Sequence, residues 1–180
     1  MLNNNLNSLF EKYQASFTAK TYSEENNDHD VLMDTFNITP ELKRENRQYW
    51  GRELGMLWQL LVTEICSQNC SDFMPALRID GDEPVDLRLG KDAIDTKYRI
   101  GSGDSGTLKK FKQYGYQLKE MGYNPIFLIL RTDNLHAAIS ACYAGGWTVL
   151  VGDDAFNYLY EKTGVDVKEY LKSIHGSFAI

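Results

Sequence analysis

The 180-residue chain predicts a mixed α/β (α+β) domain whose sheet has an antiparallel front and a parallel back and is flanked by helices. Three observations carry this expectation. A stripe of apolar side chains at helical spacing (Trp50, Leu54, Leu57, Leu61, Ile65) marks a long helix. Short runs at 76–79, 85–89 and 93–100 alternate in the strand manner. Beyond them, helical and apolar strand-like segments take turns, so the order reads α-β-β-β-α-β-α-β-α.

Taken in order, residues 1–40 are Asn-rich and acidic, with one helix expected at 6–17 and a loop through 24–28. They are read as an N-terminal helical arm, and 41–180 as a single domain. Thr39 suits an N-cap and Pro40 the first helical position, opening a helix that runs to about Ser67. The three short strands follow, then a Gly/Ser turn at 101–106 and a basic amphipathic helix at 107–121. A strand at 126–130, a helix at 135–143, a strand at 147–151 and helical segments over 153–174 complete the pattern. Phe127 and Trp147 read as core. The aromatics of 156–170 suggest a C-terminal helix packed on the core or on a second subunit.

Composition excludes several classes. Apolar residues at 43% and charged residues at 24% are ordinary globular usage. The longest strongly apolar run, 125–130, is too short to cross a bilayer, and no membrane partner is expected. The first residues lack the basic and apolar regions of a secretory signal. Three cysteines without a CxxC read as reduced thiols in a cytoplasmic protein, which disfavours a disulfide framework and a structural zinc site. The net charge of −6 argues against nucleic acid at first sight, yet segment 88–119 carries net +5. A basic stripe on an acidic body can steer a phosphate backbone onto one face. A merely solvated helix face is the plainer alternative.

The chemistry concentrates at 83–100. Gly90-Lys91 suits a two-residue hairpin turn with Gly at its first central position. Leu89 then faces Asp92, and Asp86 lies opposite Asp95, where Cβ atoms are about 4.5–5.5 Å apart. Alternation puts Asp86, Arg88, Asp95, Lys97 and Arg99 on one face, with Val85, Leu87, Leu89, Ile94, Thr96, Tyr98 and Ile100 on the other. Two adjacent carboxylates repel, and a divalent cation offsets that repulsion. Mg²⁺ is commonly held by one or two carboxylates together with substrate phosphate and water. Lys97 would stand beside it, to orient or deprotonate a water or to hold a phosphate oxygen. A plain hairpin laced by Asp–Lys and Asp–Arg pairs is the structural alternative.

This arrangement resembles the PD-(D/E)xK nuclease superfamily over residues 41–152. Asp86 matches the first Asp and Asp95-Thr96-Lys97 the (D/E)xK, with Pro84-Val85-Asp86 in place of Pro-Asp. The run from Lys97 to Thr107 is similar to type II restriction endonucleases of the ApaLI-like group. The resemblance implies a restriction-endonuclease-like core and hydrolysis of phosphodiester bonds at a short site in double-stranded DNA. It also implies Mg²⁺, with Mn²⁺ as an accepted substitute, and a homodimer. The catalytic set would be Asp86, Asp95, Lys97 and an auxiliary Glu on the preceding helix, with Asp86, Asp95 and that Glu on the metal. Glu53 and Glu64 are the candidates, about 16 Å apart along the axis, and Glu53 is preferred. Other nucleases on this scaffold (repair, resolvase or phage enzymes) and a non-catalytic DNA-binding module are the alternatives.

Rival motifs share the stretch. Gly101 to Gly106 spells GxGxxG, but the preceding strand alternates charge, unlike the all-apolar first strand of a dinucleotide fold. No Gly-Lys-Ser/Thr follows, which removes a Walker A loop. Gly103-Asp-Ser-Gly106 echoes a serine protease without its context. The segment reads instead as a loop whose amides, with Ser102, Ser105 and Thr107, meet DNA phosphate at a helix N-terminus. Arg99, Lys109, Lys112 and Gln113 complete the expected DNA contacts.

Overall fold

Two tight turns set the front of the sheet. A computed structural model of the protein describes residues 4–19, 29–101 and 103–180. Asp80 and Gly81 both adopt positive φ, 50° and 88°. That is the pattern of a type I′ turn, and it joins β1 (Phe73–Ile79) to β2 (Asp82–Leu89). At the next turn only Gly90 is positive, at 53°, as expected for Gly90-Lys91. It joins β2 to β3 (Asp92–Lys97), with Leu89 opposite Asp92 and Leu87 opposite Ile94 as the sequence predicts.

Behind β3 the pairing becomes parallel. β4 (Asn124–Ile129) lies beside β3, with Asp95 facing Phe127, and β5 (Thr148–Val151) lies beside β4. The five strands therefore run in the order β1-β2-β3-β4-β5, antiparallel in front and parallel behind. The helices are α1 (Asn4–Ala19), α2 (Val31–Thr35), α3 (Pro40–Glu45), α4 (Arg47–Asn69), α5 (Ser105–Glu120), α6 (His136–Ala144), α7 (Asp153–Thr163) and α8 (Val167–Ser173).

The helices cover the two faces of the sheet separately. On one face α2, α4, α7 and α8 close over Leu87, Leu89, Ile94, Ile126 and Leu128. Trp58 of α4 is fully buried there and donates its indole N–H to the Leu128 carbonyl at 3.2 Å. On the other face α5 and α6 close over Ala93, Phe127 and Ile129. The Phe127 ring lies between Phe111 (5.3 Å) and Trp147 (4.1 Å). Gly115 of α5 allows this layer to approach closely: a Cβ there would sit 2.2 Å from the Gly145 carbonyl oxygen. The fold is thus a restriction-endonuclease-like mixed sheet flanked by helices.

Four details differ from the sequence reading. The long helix is broken at Asn46, whose backbone leaves helical geometry (φ −149°, ψ 72°) while its side chain accepts from the Tyr49 N–H and starts α4. α2 is an additional short helix, capped by Asp30, which accepts from the amides of Leu32 and Met33. Leu32, Met33 and Ile38 are buried, so the core begins before residue 41. The third strand ends at Lys97 rather than near residue 100. Val85 and Ile100 pack with the α5–α6 cluster, not with Leu87 and Tyr98. Ile100 lies beyond the end of β3, and Val85 lies beyond the last β2–β3 pair while still facing Leu77 of β1. The 24–28 loop and Ser102 lie outside the described residues.

Candidate active site

The β2–β3 pairing stops at Leu87 and Ile94, and the site is built where it stops. One residue further, Asp86 Oδ2 accepts the Thr96 backbone N–H at 2.7 Å and the Thr96 hydroxyl at 2.6 Å. The Asp86 side chain thus takes up a strand N–H, and two donors fix its carboxylate. Asp95 stands beside it and receives the ammonium of Lys97, which also donates to the Thr96 carbonyl at 3.3 Å. Burial pushes the Asp95 carboxyl up to about 7; Lys97 pulls against that and the adjacent Asp86 carboxylate adds to it. Burial disfavours the Lys97 ammonium, but Asp95 and then Asp86 outweigh it and raise its pKa. Burial and a neighbouring carboxylate both disfavour ionisation, and a positive charge placed beside the pair relieves that cost.

A cleft of about 290 Å³ opens beside Asp95 and Lys97; Asp86, next to Asp95, does not line it. Asp95 and Lys97 form its floor, Asp82 and Glu83 one wall, and Thr107, Lys110 and Tyr114 of α5 the other. The cluster suits a hard cation that seeks oxygen: Asp86 and Asp95 supply carboxylates, and Mg²⁺ needs only one or two beside phosphate and water. Among the described residues no group of three or more acidic, His or Cys side chains forms a ready-made cage.

The predicted residues divide. Asp86, Asp95 and Lys97 come together, and Thr107 lines the same cleft as Asp95 and Lys97. Glu53 is exposed on α4 and ion-paired with Arg52 at 2.9 Å, and α4 packs on the opposite face of the sheet. Glu64 is likewise exposed on α4, bonded to Gln68 at 2.6 Å. The structure brings neither to the carboxylate pair. Arg99 turns into the loop after β4, donating to the Asp133 carbonyl at 2.9 Å and to its carboxylate at 3.2 Å. The amides of Gly106 and Thr107 and the Thr107 hydroxyl donate to Asp104, the N-cap of α5, and hold its carboxyl below the usual range. These donors are therefore engaged within the protein. Ser105, Lys109, Lys112 and Gln113 are exposed on α5.

Sequence reasoning missed Asp82, Glu83, Lys110 and Tyr114 as cleft residues. The Asp80-Gly81 turn was the legible signal, since it places Asp82 at the start of β2. A larger cavity, about 480 Å³, lies at the C-terminal ends of β4 and β5. Its walls carry a structural network in which Arg131 binds Asp30 and Asp133, both at 2.9 Å, and the Tyr98 hydroxyl donates to Asp30.

The mixed five-stranded sheet flanked by helices places the protein in the restriction-endonuclease-like fold class. The model of the ApaLI-like restriction endonuclease family matches residues 78–176, which includes Asp86, Asp95, Lys97 and all of α5. The chain belongs to that family. No curated protein and no solved structure matches it. No helix among the described residues is long and apolar enough to cross a membrane.

Proposed function

We propose that the chain is a Mg²⁺-dependent type II restriction endonuclease that hydrolyses double-stranded DNA at a short specific site. The observation that carries this reading is that Asp95 and Lys97 line an open cleft together, with the Asp86 carboxylate adjacent to Asp95. Asp86 and Asp95 would hold the cation. When bound, it supplies a water of lowered pKa and neutralises charge on the scissile phosphate. Thr96 fixes the Asp86 carboxylate through two hydrogen bonds. Lys97 sits where it can orient the attacking water or bind a phosphate oxygen. The exposed lysines of α5 extend the phosphate-binding surface from the cleft outward.

One such cluster positions one water on one phosphodiester, so cutting both strands of a symmetric site calls for two copies about a two-fold axis. The functional unit is accordingly a homodimer. Digestion of a long DNA with Mg²⁺, and with EDTA as control, followed by mapping of the ends, tests the reading. Discrete fragments with a common end sequence support it; no metal-dependent cleavage overturns it. Light scattering on the DNA-bound protein should show two subunits per duplex, and one bound subunit that only nicks would overturn the dimer.

A further inference from the structure

Thr107, Lys110, Phe111 and Tyr114 recur at the i, i+3, i+4, i+7 spacing of one helix face, and that face of α5 forms a wall of the Asp95–Lys97 cleft. Two of its polar groups converge on a single atom. Lys110 Nζ lies 3.5 Å from Asp82 Oδ2, and the Tyr114 hydroxyl donates to the same oxygen. Lys110 also sits over the Tyr114 ring at 5.9 Å. Asp82 reaches this point because it directly follows the Asp80-Gly81 turn.

A cation and a phenol gripping one anionic oxygen form the donor set that proteins present to a phosphate oxygen. The pair is also poorly suited to a structural role. The Lys110 and Asp82 side chains are 61% and 54% exposed, whereas Arg131 and Asp30, which tie α2 to the sheet, are 4% and 11% exposed. Exposed pairs contribute little to stability and exchange partners readily.

We propose that Lys110 and Tyr114 form a subsite for a DNA backbone phosphate adjacent to the scissile one, and that Asp82 occupies it as an internal stand-in until DNA arrives. The proposal rests on the nuclease reading and adds a contact to it. Binding of DNA then requires Asp82 to yield, which opens the cleft between the start of β2 and α5. The acidic residue therefore acts as a competitor of substrate, and its removal strengthens binding.

Fluorescence anisotropy with a labelled duplex in Ca²⁺, across a salt series, tests this. Asp82→Asn should tighten binding at least threefold. Lys110→Ala should weaken it about threefold to tenfold and flatten the log–log salt slope by about 1. Tyr114→Phe should weaken it about threefold, and Lys110→Ala combined with Tyr114→Phe should abolish the gain from Asp82→Asn. Asp80→Asn, which removes the same charge two residues away on an exposed turn, should change affinity by less than half the Asp82→Asn effect. An equal gain from Asp80→Asn, or a gain from Asp82→Asn that survives loss of both α5 donors, would overturn the subsite. So would equal signs for Asp82→Asn and Lys110→Ala. Wild-type cleavage in Mg²⁺ separates the two readings. Cleavage without the sign reversal removes the subsite alone, and the sign reversal without cleavage keeps the subsite and removes the nuclease.

Discussion

Thr96→Val isolates the device that holds Asp86. Thr96 is 5% exposed, and both its backbone N–H and its hydroxyl donate to Asp86 Oδ2, at 2.7 and 2.6 Å. Valine keeps the shape, the strand propensity and the backbone donor, and removes only the hydroxyl. A hydrogen bond to a charged group contributes roughly 1.5–3 kcal/mol net. A chain of this size shifts its melting temperature by about 2–4 °C per kcal/mol, so the variant should melt about 3–12 °C lower without metal. The carboxylate also gains freedom to rotate away from Asp95. Loss of a residue that orients a metal ligand typically costs about 10–100-fold in metal affinity or activity, so the Mg²⁺ concentration for half-maximal cleavage should rise by that order. The assays are thermal denaturation followed by circular dichroism and a Mg²⁺ titration of plasmid linearisation. Thr96→Ser, which keeps the hydroxyl, should restore most of the metal dependence. A valine variant with wild-type melting and an unmoved Mg²⁺ curve would refute the role given to Thr96.

Three further predictions follow from the structure. Asp86→Ala and Asp95→Ala should each abolish cleavage with an unchanged circular dichroism spectrum; near wild-type cutting by either folded variant would refute the metal-site assignment. Lys109→Glu combined with Lys112→Glu should weaken DNA binding and flatten the log–log salt slope by about 2, and an unchanged slope would move the DNA surface off α5. Burial works to raise the Asp92 pKa, but Lys162 at 2.8 Å, Asn124 at 3.0 Å and Tyr158 at 2.8 Å outweigh it and hold the carboxyl below 3.8. A lowered folded pKa stabilises above the ordinary carboxylate value and is lost as pH falls through the folded one. Asp92→Asn should therefore be less stable than wild type in urea denaturation at neutral pH, with the gap shrinking below about pH 4; a gap independent of pH would refute this.

The hairpin at the centre of the site was readable because a turn fixes register. Gly90-Lys91 leaves one way to align β2 with β3, which fixes Leu89 opposite Asp92 and Leu87 opposite Ile94 and leaves Asp86 and Asp95 one residue beyond the last pair. The parallel half was readable because apolar strands buried on both faces alternate with helical stretches. The break at Asn46 was not, since the apolar stripe begins only at Trp50 and says nothing about a backbone angle before it. Ile100 changed face because it lies beyond the end of β3, where no ladder enforces alternation; the pairing does not explain Val85, which still faces Leu77 of β1. The fate of Glu53 lay beyond helical periodicity altogether: spacing shows which face of α4 is apolar, not which face of the sheet it covers. Arg99 was claimed by Asp133, a partner from a distant loop that no local pattern announces.

β3 is the seam of the sheet, with one edge on a neighbour from its own hairpin and the other on β4, reached only after α5. The two edges form on different clocks. A hairpin closes in microseconds, whereas pairing across a helical crossover must first overcome the entropy of a longer loop. Asp86 and Asp95 can therefore meet early, while Phe127, Trp147 and the α5 wall of the cleft arrive late. During synthesis the carboxylates leave the ribosome before the α5 wall of the cleft exists. For a chain that cuts DNA, this makes competence a property of the finished sheet rather than of the hairpin.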